Sequence, residues 1–244
     1  MGTVALDDVD FSMFTLDDFA NLVLQRSAVL GDHPGAARPI KAWRNGNPKP
    51  LRDLVSRDPV SLARSALGFI NAEFMALRGL IERLGPKRVA DIGCGYAIFD
   101  LCMYAATGAD ILLIDIEATD DRHFGYASEG AGYSSLAVAQ RFLTANGVPE
   151  SSISLWNPKK SELESDAPID LAYSFLSCGF HYPIDIYLPF FRFAVKARGA
   201  VILDLRSRQA NANISQLESL GTVRVLEREG SVTRVLLNKK PTAS

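Results

Sequence analysis

Beyond residue 86, short apolar runs alternate with amphipathic segments of helical period. Such alternation is typical of βα units that build a mostly parallel sheet. The apolar runs predict five strands, at Arg88–Ile92, Ile111–Asp115, Ile153–Trp156, Ile169–Ser174 and Ala200–Asp204. The amphipathic segments between them predict three helices, at Tyr96–Ala106, Tyr133–Asn146 and Ile184–Ala197.

The two ends of the chain follow other patterns. Residues 222–228 and 231–238 read as two strands joined by a tight turn at Glu229-Gly230, so an antiparallel hairpin should close the sheet. Near the N-terminus, apolar residues at helical spacing predict one long helix that Ser61 caps and that ends at about Leu84. The basic segment at residues 33–57 contains Pro34, Pro39, Pro48 and Pro50, so we predict a loop there rather than a helix.

Composition and charge narrow the class of protein. Among 244 residues, 48% are hydrophobic and 22% charged, which is enough apolar material for a sizeable core. The net charge of −2 provides no overall positive field, so the composition does not favour a nucleic-acid partner. The charge is unevenly distributed along the chain, because residues 1–32 carry a net charge of −5 and residues 33–57 a net charge of +5. These two segments should form opposite faces or pair with each other.

Targeting and cysteine patterns point to the cytoplasm. The first ten residues hold three Asp and no Lys or Arg, unlike a secretory signal, and no apolar stretch approaches the length of a membrane span. The cysteines at 94, 102 and 178 are odd in number and never spaced as Cys-x-x-Cys. We therefore expect neither a disulfide framework nor a zinc site.

The candidate chemistry begins where the first predicted strand runs into a glycine turn, Asp91-Ile92-Gly93-Cys94-Gly95. A dinucleotide site would need Gly or Ala at position 98, where Ile98 stands, so a hydride-transfer cofactor is disfavoured. Asp91 instead suits a ligand carrying an ammonium and a sulfonium. Twenty residues after Gly95, Asp115 ends the second strand, where a carboxylate can accept both ribose hydroxyls. The glycines alone would also fit an ordinary tight turn.

This combination of motifs resembles the class I S-adenosylmethionine-dependent methyltransferases over about residues 85–239. The resemblance implies a Rossmann-like, mostly parallel seven-stranded sheet at residues 86–244, with residues 1–85 as an N-terminal helical cap and substrate region. Ala97 departs from the frequent third glycine of the family. The resemblance assigns cofactor-binding roles, from the methionine part to the adenine, to Asp91, Gly93, Cys94, Gly95, Asp115, Ile116, Trp156, Asn157 and Ser174. Ser174 stands where metal-dependent members place a carboxylate, so we expect no metal.

The loop after the fourth strand faces the transferable methyl group in that family. It contains His181, whose ordinary pKa lies near neutrality, and we predict it as general base for an oxygen nucleophile, with Tyr182 beside it. The alternative is a histidine that holds the loop backbone. Cys178 is interpreted as a buried filler rather than a nucleophile.

Two further segments bear on the acceptor. The insertion at residues 117–132, with His123 and Tyr126 as second-rank candidates, suits a flap. Its motifs resemble a bacterial and phage subgroup of methyltransferases, some associated with sugar or surface-polysaccharide modification. The basic segment either meets an anionic acceptor or cofactor carboxylate, or is a solvated loop; its candidates are Arg38, Lys41, Trp43 and Arg44.

The sequence therefore predicts methyl transfer from S-adenosylmethionine to a hydroxyl of a small molecule, with sugars and natural products as candidate acceptors. One alternative is an RNA or protein methyltransferase that uses the basic residues 38–57. Another is a non-catalytic module that binds the cofactor or a partner, although the intact motif argues against a degenerate site.

Overall fold

A single seven-stranded sheet organises the protein. The computed structural model describes residues 2–31, 37–117, 134–162 and 167–241. The strands are β1 (Arg88–Ile92), β2 (Asp110–Ile114), β3 (Ile153–Trp156), β4 (Ile169–Ser174), β5 (Val195–Arg206), β6 (Gly221–Glu229) and β7 (Val232–Lys239). Their order is β3-β2-β1-β4-β5-β7-β6, and every pairing is parallel except those of β7 with β5 and β6. The predicted Rossmann-like sheet with a C-terminal antiparallel hairpin is confirmed.

Eight α-helices in the described residues accompany the sheet. They are α1 (Leu16–Gln25), α2 (Ala37–Arg44), α3 (Lys49–Val55), α4 (Pro59–Leu84), α5 (Ile98–Thr107), α6 (Leu136–Ala145), α7 (Leu188–Phe193) and α8 (Ala210–Glu218). The predicted long N-terminal helix is α4, but Asp58 caps it by accepting a hydrogen bond from the Ser61 amide. Among these elements, no helix is long and apolar enough to cross a membrane.

Side-chain alternation along the strands divides the core into two layers. On β1, Val89 joins the layer that α1, α4, α5 and α6 cover, whereas Ala90 and Ile92 face the layer that α7 and α8 cover. Asp91 has the same parity as Val89 and so projects towards the first layer. The N-terminal helices bury their apolar residues in that layer, together with the sheet. They share one core with the sheet instead of forming their own.

The basic segment is helical, which corrects the predicted loop. Its described residues form α2 and α3, and Pro39, Pro48 and Pro50 lie where a helix tolerates them. Pro39 falls in the first turn of α2, Pro48 is the residue that precedes α3, and Pro50 lies at the start of α3. The amides of a first helical turn have no partner within the helix, so proline costs little there. The number of prolines alone predicts a loop, because it does not show where each proline lies within a helix.

The region around the fourth and fifth strands brings further corrections. The predicted helix at 184–197 is a short 3-10 turn at Asp185–Tyr187 followed by α7, and the chain is already extended at Val195. Val195 pairs with Ile169 of β4, so strand pairing takes over what looked like a helical face. Helix α8 was not predicted.

The remaining boundaries follow the prediction more closely. Strands β1, β3 and β4 have the predicted bounds, and β2 ends at Ile114, one residue before Asp115. Helix α6 begins three residues later than predicted, because the Ser135 hydroxyl caps it. The insertion with His123 and Tyr126 lies outside the described residues beyond Glu117.

Candidate functional site

The glycine turn between β1 and α5 is packed against two other parts of the chain. Gly93 and Gly95 both have positive φ, of 77° and 58°. A Cβ on Gly93 would lie 2.0 Å from the Ser177 hydroxyl, and one on Gly95 would lie 2.7 Å from the Gln25 amide oxygen. At Gly93 an added Cβ would also meet the Ser177 Cβ, so only glycine fits there, and at Gly95 the left-handed backbone favours glycine. The loop after β4 and the end of α1 therefore meet at the turn.

The third position of the turn, Ala97, also has a positive φ, of 59°, and is fully buried. Methyltransferases of the family that the motif resembles frequently carry glycine here. The left-handed backbone explains that preference, since glycine adopts it without a steric penalty. Ala97 keeps the same conformation with the smallest possible side chain, so α5 starts in the expected place.

The amides of the turn are largely engaged within the protein. The amides of Gly93 and Cys94 both donate to the Ile114 carbonyl, at 2.7 and 3.2 Å. The Gly95 amide donates to Oδ2 of Asp115 at 3.0 Å. A pyrophosphate needs such amides free to receive its oxygens. The turn is therefore poorly suited to a phosphate-bearing ligand, in agreement with Ile98 in the sequence.

A cavity opens beside the turn, at the carboxyl edge of the sheet. This is where ligands bind in open α/β sheets. The walls come from the turn, from α1 and α4, and from the segments after β2 and β4. The lining residues are Leu22, Leu24, Gln25, Arg26, Ile70, Asp91, Gly93, Cys94, Gly95, Tyr96, Ile98, Phe99, Asp115, Ile116, Phe175, Leu176, Ser177, His181, Tyr182 and Tyr187.

Asp91 is one of two carboxyls on the cavity wall and is 5% exposed. Burial, followed by the nearby carboxyl of Asp100, raises its pKa well above the ordinary value. Asp100 is its buried neighbour, so the two carboxyls form an adjacent acid pair. Tyr173 in turn donates its hydroxyl to Oδ1 of Asp100 at 2.6 Å. Asp91 is paired with no Lys or Arg among the described residues.

Asp115 is the second carboxyl on the wall and organises the chain after β2. It accepts from the Gly95 amide through Oδ2 and from the Glu117 amide, at 2.8 Å, through Oδ1. Burial raises its pKa, although the hydrogen bonds from these two amides counteract the shift. Asp115 thus fixes the glycine turn relative to the end of β2.

Glu117 continues this arrangement at the edge of the described chain. Its Oε2 accepts from the Asn157 amide at 2.9 Å and from the Lys160 ammonium at 2.5 Å. Although burial acts to raise its pKa, these hydrogen bonds hold the pKa of Glu117 below its usual range. Asn157 is buried and also accepts from the Lys159 amide at 3.0 Å. This polar cluster joins the segments that follow β2 and β3.

The loop after β4 presents His181 and Tyr182 to the cavity. The Ser177 hydroxyl donates to the Tyr182 hydroxyl at 2.9 Å, and the Ser177 carbonyl accepts from the His181 amide at 2.8 Å. Burial raises the pKa of Tyr182 well above its ordinary value, so the phenol keeps its proton. His181 is half-buried, with its ring edge-on to Phe180 at a centroid distance of 5.0 Å. The loop thus offers one imidazole and one phenol to a ligand.

Other residues of this loop stay inside the fold. The Ser174 hydroxyl donates to the Ile92 carbonyl at 2.6 Å and accepts from the Cys178 amide at 2.9 Å. Cys178 is fully buried, and burial raises the pKa of its thiol. The Ser174 hydroxyl thus ties the loop to the end of β1, and the Cys178 side chain packs in the core.

Helix α1 is fastened to the glycine turn by a buried tyrosine. The Tyr96 hydroxyl donates to Oδ1 of Asp18 at 2.8 Å, and Asp18 also completes the capping box of α1 with Thr15. At the far end of the helix, Arg26 forms a bidentate ion pair with Glu73 of α4, at 2.6 and 2.5 Å. These contacts hold the N-terminal helices over the cavity.

The structure brings most, but not all, of the expected site residues together. Asp91, Gly93, Cys94, Gly95, Asp115, Ile116, His181 and Tyr182 line the cavity. Trp156, Asn157 and Ser174 do not, and neither do Arg38, Lys41, Trp43 and Arg44. Trp156 stacks on Phe190 at 5.8 Å, and its indole N–H donates to the Ser161 carbonyl.

Several residues at the site escaped the sequence analysis. Leu22, Gln25 and Arg26 lie in the acidic N-terminal segment, and Ile70 lies in the long helix. The apolar spacing and the charges of these segments predict ordinary helices and do not indicate a ligand site. Asp100 carried the one usable signal, because an acidic residue inside an otherwise apolar buried helix needs a partner. Within the described chain, no group of three or more His, Cys, Asp or Glu could hold a metal ion.

Comparisons with known proteins agree with the fold. No protein-family model and no curated protein matches the sequence. Among solved structures, the ribosomal protein L11 methylase from Lactobacillus delbrueckii subsp. bulgaricus is 20% identical, with a TM-score of 0.48 over 67% of this chain and 77% of that one. The O-methyltransferase TomG from Streptomyces achromogenes, in complex with S-adenosylmethionine, is 12% identical, with a TM-score of 0.48 over 69% and 80%.

A third similar structure is the methyltransferase domain of bacterial CtHen1-C. It is 15% identical, with a TM-score of 0.49 over 69% of this chain and 97% of that domain. The strand order and the antiparallel hairpin of this chain are themselves those that the resemblance to class I methyltransferases predicts. At these identities and TM-scores, the likeness carries no argument about function, which has to come from the site itself.

Proposed function

We propose that this protein is an S-adenosylmethionine-dependent methyltransferase whose cofactor binds in the cavity beside the glycine turn. One observation carries the proposal: Asp91 and Asp115 are buried on the cavity wall, and neither is paired with a Lys or Arg among the described residues. Buried carboxyls without a cation favour a ligand that brings one. S-adenosylmethionine carries an ammonium and a sulfonium, and when bound it supplies an activated methyl group.

The residues on the wall fit the parts of this cofactor. Asp91 would receive the ammonium, and Gly93, Cys94 and Gly95 would allow close approach of the methionine chain. Asp115 would accept hydroxyls of the ribose, while Ile116 would contact the adenine. The rings of Tyr96, Phe99, Phe175 and Tyr187 also line the cavity and suit a sulfonium. The engaged amides of the turn argue against a phosphate-bearing cofactor.

The other three residues expected at the cofactor site support it indirectly in this proposal. Asn157 would hold Glu117, and through it the segment that follows Asp115. Trp156 would support β3, and Ser174 would fix the start of the loop after β4. None of the three needs to contact the cofactor.

For the chemical step, we propose His181 as general base for an acceptor hydroxyl. It lines the cavity on the same loop as Tyr182, whose raised pKa makes it a hydrogen-bond donor rather than a base. The protein would contribute alignment of the acceptor with the methyl group and exclusion of water. The alternative is that His181 only holds the loop. Substitutions at this position separate the two roles.

The acceptor is proposed to be a small molecule held under the N-terminal helices. Residues 1–85 would act as a cap, because α1 and α4 supply Leu22, Leu24 and Ile70 to the wall. This wall is apolar apart from Gln25 and Arg26, and Arg26 is already paired with Glu73. Such a surface favours an acceptor with an apolar body, as in many natural products, over a bare sugar. We expect the protein itself to be located in the cytoplasm.

The RNA or protein alternative has weaker support. Two cations of the basic segment are already in ion pairs, Lys49 with Asp53 and Arg52 with Asp17. The other candidates in that segment do not line the cavity. A non-catalytic module would need the same cofactor site without transfer. A methyl-transfer assay with several acceptor classes distinguishes all three functions.

The test is transfer of labelled methyl from S-adenosylmethionine to fractionated small molecules, RNA and protein. Label in a small molecule is the expected result. Label in RNA or protein alone would favour the alternative, and cofactor binding without any transfer would favour the module. His181→Ala should lower turnover by about 10²–10⁴-fold while the cofactor Kd stays the same.

His181→Gln is the matched variant for the role of His181. A glutamine retains the capacity to hydrogen-bond the loop but cannot take a proton at neutral pH. A general base predicts the same loss in both variants. Recovery of turnover in His181→Gln would assign His181 to loop structure.

A further inference from the structure

Asp91 belongs to a buried pair of carboxyls that the glycine motif does not reveal. Its partner Asp100 lies in the first turn of α5, is fully buried, and is held by the Tyr173 hydroxyl at 2.6 Å. Oδ2 of Asp100 receives no hydrogen bond from a donor group among the described residues. A proton on Asp91 would satisfy that oxygen. The geometry is therefore that of an acid–carboxylate pair, with Tyr173 at the carboxylate end.

The surroundings decide where the proton rests in the absence of a ligand. Burial raises the pKa of both carboxyls, but for Asp100 the hydrogen bond from Tyr173 opposes the shift. The amino end of α5 further favours a negative charge on Asp100. These contacts favour the charge on Asp100 and the proton on Asp91.

Among the described residues, the other titratable groups that perturb this pair are neutral or acidic. Asp115, after β2, raises the pKa of Asp91 through like charge. Cys94, in the turn, and Tyr173, on β4, have pKa values raised by burial, so they stay protonated. Arg26 of α1 lies on the same cavity wall, but it is paired with Glu73, so it does not compensate two negative charges on the pair.

We infer that Asp100 and Tyr173 are positioning residues that keep Asp91 in a one-proton pair, and that this proton moves to Asp100 when an ammonium group binds to Asp91. The inference rests on the proposed function, because S-adenosylmethionine supplies the ammonium. The O–H bond on Asp91 breaks as an O–H bond forms on Asp100. The pair holds one proton and one negative charge before and after, so no other reactant is needed.

This arrangement has a consequence for ligand binding. The pair avoids two adjacent buried anions in the free protein, yet it can present a full carboxylate to the ligand. When the pH falls far enough for the pair to take a second proton, its single charge disappears and affinity for an ammonium ligand should fall. The position of that acid limb depends on how strongly Tyr173 stabilises the charged form of Asp100.

The first test is the pH profile of affinity for S-adenosylhomocysteine, which carries the ammonium but no methyl group. Tyr173→Phe removes the hydrogen bond that lowers the pKa of Asp100, so its acid limb should move up by about one pKa unit. Its deficit relative to wild type should shrink as the pH rises. Tyr104→Phe, the same substitution on the outer part of α5, is the control and should keep the wild-type profile.

The outcome separates positioning from a structural role. A merely structural tyrosine would lower affinity by the same factor at every pH, and that result would overturn the inference. An acid limb at the wild-type position in Tyr173→Phe would overturn it as well. If wild type binds neither S-adenosylhomocysteine nor S-adenosylmethionine at any pH, the proposed function fails and the inference falls with it.

A second test observes the proton directly and needs no activity. Infrared spectroscopy near neutral pH should show a protonated-carboxyl band in the free protein that Asp91→Asn removes. With S-adenosylhomocysteine bound, wild type should keep one such band at a changed frequency, whereas Asp100→Asn should lack it. A free-protein band insensitive to Asp91→Asn would contradict the pair. A band that vanishes when wild type binds the ligand would contradict transfer to Asp100.

Discussion

Two buried clusters, one around Asp204 and one around Asp91, compensate the charge of a buried acid in different ways. On β5, Asp204 is 1% exposed and lies directly opposite Arg234 of β7, which holds it with two hydrogen bonds of 2.7 and 2.9 Å. On β1, Asp91 is almost as buried, but its partner is another acid. The first cluster carries its counter-cation within the chain. The second has none, and it lies on the wall of a cavity.

The difference shows which of the two clusters is prepared for a ligand. A paired carboxylate such as Asp204 gains nothing from a cationic ligand, because Arg234 already satisfies both oxygens. An acid pair without a cation costs stability in the free protein, and a bound cation can recover that cost. Substitutions in the first cluster should therefore change folding, whereas those in the second should change binding.

Arg234→Met is expected to have the largest effect. It leaves Asp204 buried without a partner, which should lower the free energy of unfolding by roughly 3–5 kcal/mol. Denaturant unfolding followed by circular dichroism measures the loss. The double variant Asp204→Leu with Arg234→Met removes both charges and should recover most of the stability. A loss below about 1 kcal/mol in the single variant would remove the contrast between the clusters.

Asp91→Asn should weaken binding of S-adenosylmethionine by about 30-fold or more, since a buried charge pair contributes roughly 2–5 kcal/mol to binding. Isothermal titration calorimetry measures the change. Asp110→Asn, at the exposed start of β2, is the matched control and should bind like wild type. Equal affinities of Asp91→Asn and wild type would show that Asp91 does not receive the ammonium.

The same Asp91→Asn variant should be more stable than wild type at neutral pH, by roughly 2 kcal/mol. Because the pKa of Asp91 is raised in the folded state, its contribution to stability is present below the unfolded pKa and is lost as the pH rises through the folded pKa. Asparagine does not titrate, so the advantage of the variant should shrink towards acidic pH. Chemical unfolding at several pH values tests this, and an advantage that grows with acidity would reverse the assigned sign.

The smallest effect is expected where an ion pair is exposed. Arg52 of α3 binds Asp17 of α1 at 2.5 Å, joining the basic and acidic N-terminal segments, but both side chains are about half exposed. Arg52→Gln should change the free energy of unfolding by less than about 1 kcal/mol. Thermal unfolding provides the measurement. A loss as large as that of Arg234→Met would mean that burial does not distinguish these pairs.

The sheet was predictable from sequence because each strand is a short apolar run between turns. The predicted bounds of β1, β3 and β4 coincide with the structure. Prediction failed where position within an element decides the outcome. The prolines of α2 and α3 are tolerated only because they lie at helix starts, and the stretch after α7 becomes a strand only because β4 pairs with it.

The candidate site was predictable only where its residues are close in sequence. Asp91, the two glycines and Asp115 follow from the spacing of one βαβ unit. Asp100 and Tyr173 are 73 residues apart, and their hydrogen bond depends on how α5 packs on β4. Gln25 and Ser177 likewise reach the glycines from distant segments. No local pattern records contacts of this kind.

The most direct test of the account is the ligand preference of the cavity in the wild-type protein. Equilibrium titration should compare S-adenosylmethionine with the dinucleotide NAD under identical conditions. We expect saturable binding of one S-adenosylmethionine per chain and no detectable binding of NAD, because the cavity wall has two carboxyls without a Lys or Arg partner among the described residues and few free amides. Binding of NAD, or no binding of S-adenosylmethionine, would contradict it.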